Sequence, residues 1–169
     1  RGLWDVYKRQ GIRELPKPTL VLSKEELLTA RKAIDEIKEK TKKEKVVIVQ
    51  PFGRAIKQID NSFVDASNRS IEFFNLKNII RKLMEKDFAV VLMSEFGIDF
   101  KDAGFPGEVA LPEKVQLRQW AGIIKYADVF LGCDSVGQHL AYAVGTPANV
   151  VLGATYPQNT SYPGVENFN

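Results

Sequence analysis

The chain is poor in the residues that build metal and redox chemistry: its 169 residues hold one cysteine, Cys133, and one histidine, His139. A single cysteine excludes an internal disulfide and a cysteine-based metal site, and one histidine beside it leaves too few ligands for a catalytic transition-metal centre. Long hydrophobic runs are missing as well. Apolar stretches such as Phe88–Met93 and Asn149–Ala154 are strand-sized, so the sequence offers no bilayer-spanning helix. No secretory pattern opens the chain, because the apolar core of such a signal is lacking. There is no Walker sequence, no G-x-G-x-x-G after the first apolar strand, no nucleophile elbow and no Asp-x-Asp pair. These absences argue against P-loop ATPases, NAD enzymes of the usual pattern and hydrolases of the serine-elbow type. Internal repeats and low-complexity segments are also absent.

What is present is an ordinary globular composition, 44% hydrophobic and 27% charged, long enough for one domain with a sizeable core. The net charge of +3 fits an anionic ligand, although from charge alone a solvated surface is the plainer reading. The opening Arg1–Gln10, RGLWDVYKRQ, reads as translated adaptor or vector sequence and is set aside from the fold. The chain ends after a turn-rich segment without a closing helix, so a fragment at both ends is expected. The division that follows is a non-native segment at 1–10, a linker and helix at 11–44, and one α/β domain at 45–169.

Pro16 and Pro18 make Glu14–Leu20 an extended approach. Ser23 followed by Glu26 is a capping box, and Leu27, Ala30, Ile34 and Ile37 recur on one face of a helix over Lys24–Lys40. The lysines that close it fit a helix C-terminus better than a nucleic-acid patch, since no aromatics interleave them. The β-branched Lys45–Gln50 is a strand, and a polar loop follows it to Ser70. Helical spacing returns over Ile71–Lys86, and Phe88–Met93 is a second strand. Val109–Leu111 reads as a further short strand. Gln116–Tyr126 is a helix with Leu117, Trp120, Ile123 and Ile124 inward. Asp128–Gly132 is a strand, Gln138–Val144 a helix closed by Gly145 and Pro147, and Ala148–Leu152 a last strand. Strands that are apolar throughout and alternate with helices imply a doubly wound, Rossmann-like parallel sheet covered on both faces.

In such a sheet the strand C-termini share one edge, and ligands collect there beside helix N-termini. The edge gathers Arg54, Lys57, Arg69, Ser70, Glu95, Asp134, Ser135 and His139. Basic groups from the first loop and the helix N-terminus after Ser135 form an anion cradle, and a carboxylate such as Glu95 or Asp134 suits sugar hydroxyls. Together they suggest a nucleotide-type ligand. Taken singly, each residue keeps a plainer reading. Asp134 and Ser135 make a good N-cap pair, His139 fits a structural histidine, Arg54 and Lys57 fit loop charges, and Glu95 fits a surface carboxylate.

At Asp134–Pro147 the sequence resembles glycosyltransferase family 9, the heptosyltransferases of lipopolysaccharide assembly. The pattern is an aspartate, a hydroxyl residue, glycine, two variable residues and histidine, then a small-residue helix ending before proline. Asp134, Ser135, His139, Ala143, Gly145 and Pro147 stand in those places. The resemblance runs back through Leu117–Gly132 and, more loosely, to the linker-like Pro18–Leu27. It implies the C-terminal half of a GT-B enzyme, which holds a nucleotide-sugar donor, while a separate N-terminal domain supplies the acceptor site and catalytic base. By that resemblance Asp134, Ser135, Val136, Gly137 and His139 would meet the donor. Arg54 and Lys57 would lie near its diphosphate, Glu95 would bind a donor hydroxyl, and Val115 would contact the base through its backbone.

One position departs from the family. Val136 stands where glycine usually follows the hydroxyl residue, and glycine comes one later, at Gly137. A β-branched residue disfavours positive φ, so the turn is expected to present different amides to a phosphate. The function implied is transfer of a heptose-like sugar from a nucleotide-diphosphate donor to a cell-envelope glycan such as the lipopolysaccharide core. It would need no cofactor or metal and no nucleic acid, and would act in the cytoplasm, in peripheral contact with the inner membrane. A chain holding the donor-binding part alone would be inactive. A nucleotide-binding or interaction domain without transferase activity is the second reading. A nucleotide-sugar epimerase is a weaker third, since the extra acid and base groups it needs are not found.

Overall fold

A computed structural model describes residues 17–59, 62–94 and 115–168. The opening Arg1–Gln10, the strand expected at Val109–Leu111 and the candidate Glu95 lie outside the described residues. Helix α1, Lys24–Thr41, starts at the expected capping box: Ser23 Oγ accepts the Glu26 amide at 3.1 Å and the Glu26 carboxylate accepts the Ser23 amide at 2.7 Å. It ends in a left-handed Lys42. Strand β1, Lys45–Gln50, follows with five consecutive buried residues. The segment after it, expected to be loop throughout, contains an antiparallel hairpin of β2, Ile56–Ile59, and β3, Ser62–Asp65. Helix α2, Phe73–Glu85, leads to strand β4, Phe88–Leu92.

Helix α3, Leu117–Tyr126, buries Trp120, Ile123 and Ile124 as expected, but Leu117 is 54% exposed. Its apolar stripe is in register, yet the first helical turn lies at the margin of the core. Strand β5, Val129–Cys133, precedes helix α4, Val136–Val144, which starts two residues earlier than its sequence suggested and closes on a left-handed Gly145. Strand β6, Ala148–Val151, is followed by a single turn of helix, α5, Pro157–Thr160, and a short strand β7, Glu166–Phe168. Neither of these last two was read from the sequence.

Five strands form one parallel sheet in the order β4-β1-β5-β6-β7. Its two faces bury alternate residues of the same strands. Val46, Ile48, Ala89, Val91 and Phe130 join Trp120, Ile124, Leu140 and Ala30 on the face covered by α1, α3 and α4. Val47, Val49, Val90 and Leu92 join Leu76 and Ile80 of α2 on the other, with Ile56 of the hairpin. The linker helix α1 is therefore packed into the domain. Its Ala30 lies so close to Gly122 of α3 that a Cβ there would sit 2.8 Å from the Ala30 methyl. Arg118 of α3 completes this contact with a two-point bond to Glu26, Nε to Oε1 at 2.5 Å and Nη2 to Oε2 at 2.9 Å. That bond, then the Ser23 amide, hold the Glu26 carboxyl down at about 2.

Candidate ligand site at the sheet switch point

From β1 the chain moves to β4 on one side of the sheet, then returns to β5 on the other, so the order of winding reverses between β1 and β5. Loops leaving two neighbouring strands in opposite directions open a crevice at their C-terminal ends, where doubly wound folds take their ligands. Gln50 ends β1 at this point, and Asp134 and Ser135 follow β5.

Gln50 bridges the switch point. Its side chain is 7% exposed, its Nε2 donates to Ser135 Oγ at 3.2 Å, and its Oε1 accepts the Gly137 amide at 2.8 Å. Ser135 is the N-cap residue of α4 but makes no capping hydrogen bond of its own. One of the helix's otherwise unpaired amides is thus satisfied from a neighbouring strand. Gly137 is obligatory for a steric reason. A Cβ there would lie 2.4 Å from both Gln50 Oε1 and the Phe130 ring, and Phe130 is fully buried. Val136 is in the first helical turn and is not among the positive-φ residues. The departure from the family pattern therefore does not force Val136 into an unfavourable backbone; the demand for glycine falls at Gly137.

Asp134 is buried and its Oδ1 accepts from Gln138 Nε2 at 2.6 Å. Gln138 is fully buried, and its Oε1 has no hydrogen-bond partner among the described residues. His139 is exposed on α4, with Nδ1 2.7 Å from the Tyr162 hydroxyl and its ring edge-to-face on Tyr162. Tyr162, between α5 and β7, stacks on Tyr142 at 4.0 Å, and the Lys17 ammonium lies 4.8 Å from the Tyr142 ring centre. Gln50 and Tyr162 were both missed by sequence reasoning: one is a neutral residue at a strand end, the other lies in a turn-rich segment.

The loop after β1 leaves the sheet at the same edge. Arg54 is exposed in the turn entering the hairpin, and Lys57 is exposed on β2. The loop is tied down at Asp65, whose carboxylate accepts from the amides and hydroxyls of Ser67 and Ser70 at 2.5–2.9 Å. Burial pushes this carboxyl up, but the four hydrogen bonds outweigh it and hold it well below the usual range. Ser70 Oγ in turn accepts the Gly53 amide at 3.1 Å. Gly153, after β6, presses on the same loop: a Cβ there would lie 1.9 Å from the Asn68 carbonyl oxygen. Cys133 is fully buried behind the turn, and burial pushes its thiol up to about 12. Val115 is half-buried against the α1–α3 core at the start of α3. The structure thus sets Arg54 after β1 and the Asp134–His139 segment after the neighbouring β5, with Lys57 on the hairpin and Val115 just before α3, while Glu95 lies outside the described residues.

Among the described residues no helix is long and apolar enough to cross a membrane. The sequence profile of glycosyltransferase family 9 (heptosyltransferase) matches residues 75–167, more than half of the chain. No curated protein sequence matches significantly. Among solved structures, the chain is similar to an Escherichia coli ADP-heptose lipopolysaccharide heptosyltransferase II at 14% identity and TM-score 0.60, covering 90% of this chain and 45% of that one. It is also similar to a family 9 glycosyl transferase from Veillonella parvula at 11% identity and TM-score 0.67, covering 96% and 46%. The E. coli heptosyltransferase WaaC with ADP-2-deoxy-2-fluoro heptose matches at 17% identity and TM-score 0.51, covering 74% and 36%. The chain spans less than half the length of each. The fold is the one expected, a Rossmann-like half of a GT-B architecture.

Proposed function

The chain belongs to glycosyltransferase family 9, and we propose that it is the donor-binding part of an enzyme that moves a heptose-like sugar from a nucleotide-diphosphate donor to a cell-envelope glycan such as the lipopolysaccharide core. The observation that carries this reading is the position of the α4 N-terminal turn. It stands at the β1–β5 switch point and inside the matched region, and the loop that carries the cationic Arg54 leaves the adjoining strand β1. An acceptor hydroxyl would attack the anomeric carbon as its bond to the nucleotide diphosphate breaks. Negative charge then grows on the departing phosphate. The free amides of the α4 turn, Arg54 and Lys57 are the groups suited to stabilise it, because they are in place before the charge appears. Ser135 and His139 would add hydrogen bonds, Asp134 would hold the turn through Gln138, Glu95 would take a donor hydroxyl, and the Val115 backbone would meet the base. The base that deprotonates the acceptor belongs to a separate N-terminal domain, and a glycolipid acceptor places the enzyme at the inner face of the cytoplasmic membrane.

Two of the similar structures carry ADP-linked heptose in their names, so ADP is the nucleotide proposed for this chain. Calorimetric titration with ADP, GDP and UDP tests it. ADP should bind best, and Arg54→Ala and His139→Ala should each weaken it; a chain that binds none of the three overturns the reading. One observation favours a nucleotide-binding domain without transfer: Gln50 already occupies the Gly137 amide, leaving fewer donors for a phosphate. Binding of ADP without sugar transfer by the full-length protein would select that alternative.

A further inference from the structure

We propose that Tyr162 is the positioning residue for His139, fixing the neutral imidazole as the Nε2–H tautomer so that Nε2 is a hydrogen-bond donor toward the donor diphosphate. The inference about the diphosphate rests on the function proposed above; the tautomer does not. The Tyr162 hydroxyl is 2.7 Å from His139 Nδ1. A phenol is a better donor than acceptor, and an imidazole nitrogen is a much stronger base than a phenol oxygen. The favoured arrangement is therefore O–H donating to the Nδ1 lone pair, which leaves the proton of the neutral ring on Nε2. If the ring gains a second proton, the same hydroxyl turns to accept from Nδ1–H, and Nε2–H is kept. His139 thus offers Nε2–H in both charge states.

The partner is itself held in place. Tyr162 stacks on Tyr142 with the two rings 7° from parallel, and Lys17 caps the pair electrostatically from the segment before α1. Tyr142 is three residues after His139 on α4, so both rings that meet Tyr162 come from one face of one helix. An exposed histidine with no such partner would sample several rotamers and both tautomers. Here hydrogen bond, edge-to-face contact and stack fix a single ring orientation.

The chain has one histidine, so a long-range proton–nitrogen correlation spectrum of histidine-labelled protein reports this ring alone. In alkaline buffer without ligand, Nδ1 should appear as an unprotonated acceptor and Nε2 as protonated. In Tyr162→Phe the two nitrogen shifts should move toward each other, with the melting temperature little changed. A wild-type spectrum showing Nδ1–H, or a Tyr162→Phe spectrum identical to wild type, overturns the proposal. Tyr162→Phe should also weaken ADP binding about fivefold, the loss of one ordinary hydrogen bond, and should add nothing in a His139→Ala background. A further loss in that background overturns the positioning role. If ADP fails to bind at all while the tautomer is as stated, it is the functional reading that fails.

Discussion

The side-chain oxygen of Gln50 accepts the backbone amide of Gly137 at 2.8 Å, joining the end of β1 to the first turn of α4 across the switch point of the sheet. Gln50→Leu should leave that buried amide unpaired and cost about 1–3 kcal/mol in urea unfolding. Gly137→Ala should cost about 3 kcal/mol by overpacking against Phe130 and Gln50. Because Phe130 alone blocks a Cβ at this position, Gln50→Ala should not rescue Gly137→Ala.

Asp134 and His139 should separate cleanly in a thermal melt. Asp134→Ala strips the buried Gln138 amide of its only acceptor among the described residues, and its cost should be about 2 kcal/mol. His139 is exposed and its contacts with Tyr162 lie at the surface, so His139→Ala should cost no more than about 1 kcal/mol. Weakened ADP binding is therefore interpretable directly for His139, and only after correction for folding for Asp134.

Acid should unfold the chain in part through Glu26. Its carboxyl lies at about 2 in the fold against 4.5 when unperturbed, so the unfolded chain binds the proton more tightly. The stabilisation is complete above 4.5 and is lost as pH falls toward 2. Asp65, also depressed, adds to the same acid limb. Glu26→Gln and Asp65→Asn should each flatten the fall of melting temperature with pH in that range. An unchanged slope in both would contradict the bonds described for these carboxylates.

Cys133 should resist thiol reagents in the folded protein and react on addition of urea, since it is fully buried with a thiol raised to about 12. Cys133→Ser should cost about 1–3 kcal/mol by placing a hydroxyl among Val47, Val49 and Leu92. Fast labelling of the native chain would show that the β5 turn opens.

The parallel sheet was legible because each of its central strands is a short run apolar on both faces, and the capping box at Ser23 and Glu26 placed α1 to within a residue. The hairpin was not. Ile59 and Val64 are exposed apolar residues on strands of four, too short for an alternation to stand out from a polar loop. The start of α4 was misplaced for a different reason. Val136 and Gly137 are weak helix formers that do not mark a first turn, and the bond that holds this helix end comes from Gln50, 87 positions away. Local sequence carries no mark of such a partner. Strand order alone puts Arg54 after β1 and the Asp134–His139 segment after β5; the clasp on His139 required the fold.

The switch point is held by a side-chain amide, a group with no charge to lose. Its grip is the same whether the medium is acidic or alkaline, dilute or saline. The charged groups proposed to act beside the α4 amides, Arg54 and Lys57, stand in solvent and take no part in that bond. Those charges can be exchanged without touching the joint between β1 and α4.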